Sequence, residues 1–224
     1  IEIQRWQNSL LQDKNPKTNK PYAPTYLKTI NNQLTAIFNY AVKFHNLKNN
    51  PVHKVGTIGE KNAPEKEIWS IEEFNEFISL VEDKTLHLGF NILYWSGCRI
   101  GELLALTWND IDFKNNIINI DKSYQRLNCK DVITEPKTKK SIRKITVISD
   151  VIKEIESYKK LFYKPGDDDR IFNCTKYKFE HAMINICNRN NLKRIRIHDL
   201  RHSHASLLLN EGINIVAFSK RLGH

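Results

Sequence analysis

The hydrophobic period changes partway along this chain, and that change limits the folds open to it. From Ile117 to Val147 the runs INI, VIT and IRKITV are short and β-branched, set apart by KDV and PKTKKS. This pattern predicts a small antiparallel sheet with the polar stretches as turns. On either side the period is helical. After Pro24 the residues Leu27, Ile30, Leu34, Ile37, Phe38, Ala41 and Val42 recur at helical spacing. Ser70-Ile71-Glu72-Glu73 has the S-x-x-E form of a capping box and predicts a helix through Val81. A second apolar helix is expected from Leu86 to Trp95, then a glycine break and a short helix over Ile100 to Leu106. Ser149-Asp150 is read as the cap of a helix reaching Phe162; PGDDD then forms a loop, and helices resume at Tyr177. Helices, a small sheet, then helices again define a mainly helical α+β chain rather than an alternating α/β one.

With 224 residues the chain is comfortable for two small domains. Asn50-Pro51 closes the first helical unit, and the Gly/Pro/charge-rich stretch VGTIGEKNAPEKE reads as a linker. The boundaries expected are therefore a helical domain over 1–56, a linker over 57–67 and a second domain over 68–224. Lys+Arg number 35 against 25 Asp+Glu, a net charge of +10. That excess predicts attraction to polyanions, nucleic acid first, although a protein merely basic on its surface fits the same balance. Lys28, Lys43 and Lys48 place part of it on the first helical unit. Cys98, Cys129, Cys174 and Cys187 form no CxxC pair and read as reduced thiols. With no membrane-length apolar run and no leader, a soluble cytoplasmic protein without a membrane partner is expected.

HDLRHSHASLLL, beginning at His198, raises the chemical question. His198 and His202 are four apart, the spacing that puts two imidazoles on one helix face. A zinc hydrolase would want a glutamate between them; the chain has Asp-Leu-Arg, and Arg201 would repel a divalent cation. A second reading is a basic helix lying on phosphates with incidental histidines. In a third, His198 and Arg201, three apart, aim an imidazole and a guanidinium at one phosphoryl group. This reading demands further cations, since a five-coordinate phosphorus spreads charge over several oxygens. Arg99 follows Gly97 at a helix start, with Glu102 placed to orient it. Lys137 lies in a turn among Lys139, Lys140, Arg143 and Lys144, a solvated loop or a DNA probe.

SGCRIGELLALTWNDIDF resembles the first arginine box of the tyrosine recombinases, the phage integrase family. HDLRHSHASLLL resembles the family's H-x-x-R box, RLGH its third histidine, and EPKTKKSIRKI the hairpin that carries its lysine. One box alone is a common pattern; four in the family's order, across about Ile68 to His224, are specific. The resemblance implies that Arg99 and Arg201 clamp the scissile phosphate and Lys137 protonates the leaving 5′ oxygen. It implies proton transfer by His198 and a hydrogen bond from His224 to a phosphate oxygen. Glu102, Asp199 and His202 would support them, and His204 reads as structural. Lys139, Lys140, Arg143, Lys28 and Lys43 would contact DNA. The first domain resembles the family's core-binding domain, the second its catalytic domain. No metal or other cofactor is implied. Double-stranded DNA at a recombination site is the partner, with an accessory excision factor and a homotetramer on DNA for a full-length protein.

The family's nucleophile is a tyrosine shortly after the third histidine, and this sequence ends at His224. Tyr158, Tyr163 and Tyr177 follow no LGH box and are not assigned that role. Together with a start inside an apolar-periodic segment, this reads as a fragment of a mobile-element or phage integrase. It is expected to bind DNA, to be monomeric alone and to be inactive in cleavage.

Overall fold

A computed structural model describes residues 2–61, 67–136, 141–212 and 214–223. The chain divides into two compact units, residues 1–66 and 67–224. In the first, α1 (Glu2–Gln12), the long α2 (Pro24–Phe44) and the short α3 (Val52–Val55) pack together. Leu27 and Val52 are its buried apolar residues, and much of its interior is polar. Gln7 donates to the Asn31 side-chain oxygen at 2.8 Å and to the Gly56 carbonyl at 2.9 Å. Asn50 donates to Asn39 and accepts from the Val52 amide, so Asn50-Pro51 redirects the chain into α3 rather than closing the unit. The stretch read as a linker begins folded: the Glu60 amide donates to the Pro24 carbonyl at 3.2 Å and Lys28 Nζ to Thr57 at 2.8 Å.

The second unit opens with α4 (Ile71–Ser79), α5 (Lys84–Ser96) and α6 (Ile100–Ala105). The capping box at Ser70 is formed: Ser70 Oγ accepts from the Glu73 amide, and the Glu73 carboxylate accepts from the Ser70 amide. A single 3-10 turn at Trp108–Asp110 leads to β1 (Ile111–Asp112), β2 (Ile117–Ile120), β3 (Ser123–Leu127), β4 (Lys130–Thr134) and β5 (Arg143–Thr146). Then follow α7 (Ser149–Lys159), α8 (Lys176–Arg189), α9 (Ile197–Asn210) and α10 (Ile215–Leu222). The α+β expectation holds, with the sheet divided in two. Strands pair in the order β1-β2-β5, all antiparallel, while β3 and β4 form a separate two-stranded ribbon.

Two local expectations are corrected. KDV is not a turn but part of β4; the turn is Asn128-Cys129, both at positive φ. Ser149 is not a cap but the first residue of α7, whose N-cap Ile148 has no side-chain bond. Asp150 instead pairs with Lys153 at 2.9 Å.

The apolar core lies around α5, which packs against α4, α6, α7 and α9. Phe74, Phe77, Phe90, Tyr94, Phe172 and Phe179 fill it, with Phe74 and Tyr94 stacked at 3.8 Å. Burying side chains of this size contributes roughly 1.5–3 kcal/mol each, so α5 is the element the core is built on. Its end, Gly97, is where the candidate site begins.

Candidate active site

Gly97 ends α5 at φ +64° and donates its amide to the Leu93 carbonyl at 3.1 Å. A left-handed cap favours glycine for want of a Cβ. Space demands it too: a Cβ would stand 2.5 Å from His204 Cδ2 and 2.9 Å from Leu222 Cδ2. The tight turn delivers Arg99 to the N-cap of α6, where Glu102 closes back on it. Arg99 Nη1 donates to Glu102 Oε1, and the Arg99 amide to Oε2, both at 2.8 Å. Glu102 is buried while the Arg99 side chain is 38% exposed, so the guanidinium is tethered at one end and open to solvent.

Arg201 reaches the same place from the first turns of α9. Its guanidinium is buried, donating from Nη1 to the Gly97 carbonyl at 2.8 Å and from Nη2 to the Leu222 carbonyl. Burial pulls its pKa down to about 10, with the positive charge of Arg99 adding to the effect and Glu102 opposing it. An arginine ordinarily stays charged far above that value, so the shift reflects chiefly how far burial takes this guanidinium out of water.

Asp199, one turn into α9, is buried and accepts from the Arg196 amide at 3.0 Å and from the Arg196 side chain at 2.8 and 2.9 Å. Its carboxyl is held below the usual range: burial opposes the shift, and the bonds from Arg196 outweigh it. Asp199 thus fixes the start of α9, and with it the placement of His198 and Arg201. His198 is exposed and His202 half-exposed, their rings edge to face at 5.1 Å. His204 is buried against Gly97 and accepts at Nε2 from Arg221 Nε at 3.1 Å. Burial, then Arg221 and Arg201, push its pKa down to about 3, so it sits there as a neutral imidazole. Among the described residues no group of three His, Cys, Asp or Glu side chains is placed to hold a metal.

The structure therefore brings Arg99, Glu102 and Arg201 together where α5, α6, α9 and α10 meet, while Asp199 pairs with Arg196 at the start of α9. Lys137, Lys139, Lys140 and His224 lie outside the described residues. Lys28 and Lys43 belong to the first unit, Lys43 with its ammonium 5.0 Å from the Phe44 ring. Arg143 corrects an expectation. Grouped by sequence with cations offered to DNA, its side chain is 5% exposed and bound to Glu102, Nη2 to Oε2 at 2.8 Å. The signal was present in the strand period: Arg143, Ile145 and Val147 share the inward face. Arg221 is the other arginine that motif reading missed; half-buried, it donates to His204 and to the Trp95 carbonyl at 3.2 Å.

The phage integrase family profile matches residues 67–224. Among curated relatives, the ICEBs1 integrase of Bacillus subtilis is 36% identical over 218 residues, covering 88% of this chain and 58% of the relative. The tyrosine recombinase XerC-like protein of Caldanaerobacter subterraneus is 30% identical over 256 residues, covering 100% of this chain and 63% of its own. Among solved structures, the integrase of transposon Tn1549 in complex with a circular intermediate DNA superposes with a TM-score of 0.81 at 21% identity, covering 100% of this chain and 76% of that one. The lambda integrase dimer bound to a COC′ core site gives 0.62 at 13% identity, covering 100% and 86%. At such identities the structural likeness speaks for the fold. The chain belongs to the phage integrase family, the tyrosine recombinases. It spans about three fifths of the length of the two curated relatives.

Proposed function

We propose that this chain is the core-binding and catalytic part of a site-specific DNA recombinase that cleaves and rejoins DNA through a 3′-phosphotyrosyl intermediate. The supporting observation is electrostatic. Arg99, Arg143, Arg201 and Arg221 converge from four elements with Glu102 as the carboxylate between them, and burial has already lowered the pKa of Arg201. Such a corner is built to gain a negative group, and a phosphodiester on double-stranded DNA supplies one. Arg99 and Arg201 would take the equatorial charge as a tyrosine attacks in line. Lys137 would protonate the leaving 5′ oxygen, His198 would move the nucleophile's proton, and His224 would hydrogen-bond a phosphate oxygen. The energy of the broken bond is kept in the phosphotyrosine, so a 5′-hydroxyl can reverse the step without ATP. In this reading the nucleophile lies beyond His224 in a full-length product that assembles as a tetramer on DNA. The 224-residue chain then binds DNA without forming the covalent bond.

The test is a nicked suicide DNA substrate incubated with the full-length product of the gene. A covalent protein–DNA adduct is expected, and Arg99→Ala should abolish it with DNA binding retained. If the residues after His224 hold no tyrosine within a few helical turns, or Arg99→Ala still forms the adduct, the reading fails. Binding without any adduct would favour the other reading, a DNA-binding protein that grips phosphate with the same residues.

A further inference from the structure

Arg143 is the buried cation that the mechanism above leaves unused. Its guanidinium makes bonds in three directions. Nη1 and Nη2 donate to the two oxygens of Glu102 at 3.2 and 2.8 Å, Nη1 also donates to the Ser141 carbonyl at 3.0 Å, and Nε donates to the Arg221 carbonyl at 2.8 Å. A guanidinium this deep must recover in bonds what it loses in hydration, and this one does. The number of arginines is what needs explaining. An ion pair serving stability alone needs one arginine per carboxylate, but Glu102 serves Arg99 as well, each oxygen accepting from both residues. Oε1 accepts from the Arg99 guanidinium and Oε2 from the Arg99 amide, so the carboxylate links Arg143 to both the side chain and the backbone of Arg99.

The other end of Arg143 reaches the last turn of α10. It binds the Arg221 carbonyl while Arg201 binds the next carbonyl, Leu222. Two guanidiniums therefore hold consecutive carbonyls at a helix C-terminus, where the helix dipole favours cations. Gly223 turns the chain there at φ +73°, lying so close that a Cβ would stand 3.2 Å from Arg143 Nη1. The next residue is His224.

We propose that Arg143 is a positioning residue that holds Arg99, through Glu102, and the end of α10 in one register, so that the phosphate clamp and the last turn of α10 are set together. The proposal rests on the recombinase reading. Arg143→Lys keeps the charge but loses the fork that spans the carboxylate. A catalytic group misplaced by about 1 Å costs on the order of a hundredfold in rate.

The experiment is single-turnover cleavage of the nicked suicide substrate by the full-length protein at saturating DNA, with DNA affinity and thermal midpoint measured in parallel. Arg143→Lys is expected to lower the cleavage rate by about a hundredfold with affinity unchanged. Combined with Arg99→Lys, it should cost less than the product of the two single losses, because both act on one guanidinium. A part that only holds the fold together would lower affinity, melting and rate together, with losses that multiply. That result, or a full cleavage rate in Arg143→Lys, overturns the proposal. Should Arg143→Lys fold poorly, Glu102→Gln breaks the same link and is expected to give the same split of rate from affinity; an unchanged rate there overturns it equally. A wild-type protein that forms no adduct overturns the recombinase reading itself, and this inference with it.

Discussion

At His204 a neutral imidazole is wedged between Gly97 and Arg221, and its titration gives a measurable signature. The unfolded ring takes a proton near pH 6.5, whereas the folded ring, buried beside Arg221 and Arg201, resists until about 3. Between these values the unfolded chain binds more protons, so stability must fall as the pH drops below about 6.5 and keep falling toward 3. The slope can approach about 1.4 kcal/mol per pH unit. Denaturant unfolding of the wild type should therefore weaken from pH 7 to pH 4, and His204→Gln should flatten the dependence. An equal acid sensitivity in both proteins would show that the ring is not held neutral. Residues of this kind were only half legible in the sequence. Arg99 and Arg201 stand in short local patterns that name them. Arg143 does not, because its burial depends on Glu102, forty-one positions earlier, and a basic run does not say which of its members turns inward. Arg201 was legible as a cation but not as a structural one. Since it holds the Gly97 and Leu222 carbonyls, Arg201→Ala should lower stability as well as cleavage, which leaves Arg99→Ala as the cleaner test of chemistry.

At the scale of elements, helices with strong periodicity were legible and turns without glycine were not. Leu127 and Lys130 pair across Asn128-Cys129, which take φ of 48° and 61°. Two positive φ values are what a type I′ hairpin turn requires, and asparagine followed by glycine is its usual sign. With cysteine in the second place that sign is missing, so VIT is legible as a strand while its partner β3 is not, and KDV reads as a turn. The same conformation predicts a gain. A non-glycine residue in the left-handed region costs about 1–2 kcal/mol, and glycine returns part of that as chain entropy. Cys129→Gly should therefore stabilise the ribbon by about 0.5–1 kcal/mol, read as a raised thermal midpoint; a fall would mean the cysteine side chain is needed there. Gly97 predicts the opposite. Gly97→Ala meets both a left-handed backbone and the ring of His204 at 2.5 Å, so a loss of about 2–4 kcal/mol in denaturant unfolding is expected. The variant should also lose cleavage, since the Gly97 carbonyl accepts from the Arg201 guanidinium.

For the whole molecule, the recombinase proposal gives charge the task of bringing both units to DNA. The net +10 is spread over both: Lys28 and Lys43 lie on the first, and the second holds the converging arginines. That distribution was legible from composition and predicted an affinity for polyanions without saying which. Under the recombinase proposal the guanidiniums near Glu102 would meet a single phosphodiester and the lysines of the first unit a longer run of them. If both units track DNA phosphates, each neutralised phosphate releases condensed counterions, and log affinity must fall with log salt at about −0.9 per contact on duplex DNA. On the order of five contacts would give a slope near −4.5. Titrating the 224-residue chain onto duplex DNA across a salt series measures this directly. Arg99→Ala should change the slope by about one contact at most, since in the proposed mechanism it meets only the reacting phosphate. Charge removal at Lys28 and Lys43 together should flatten it by about two. A wild-type affinity that is level from low to physiological salt would mean that the charge excess does not meet phosphates, and the DNA reading of both units would have to be given up.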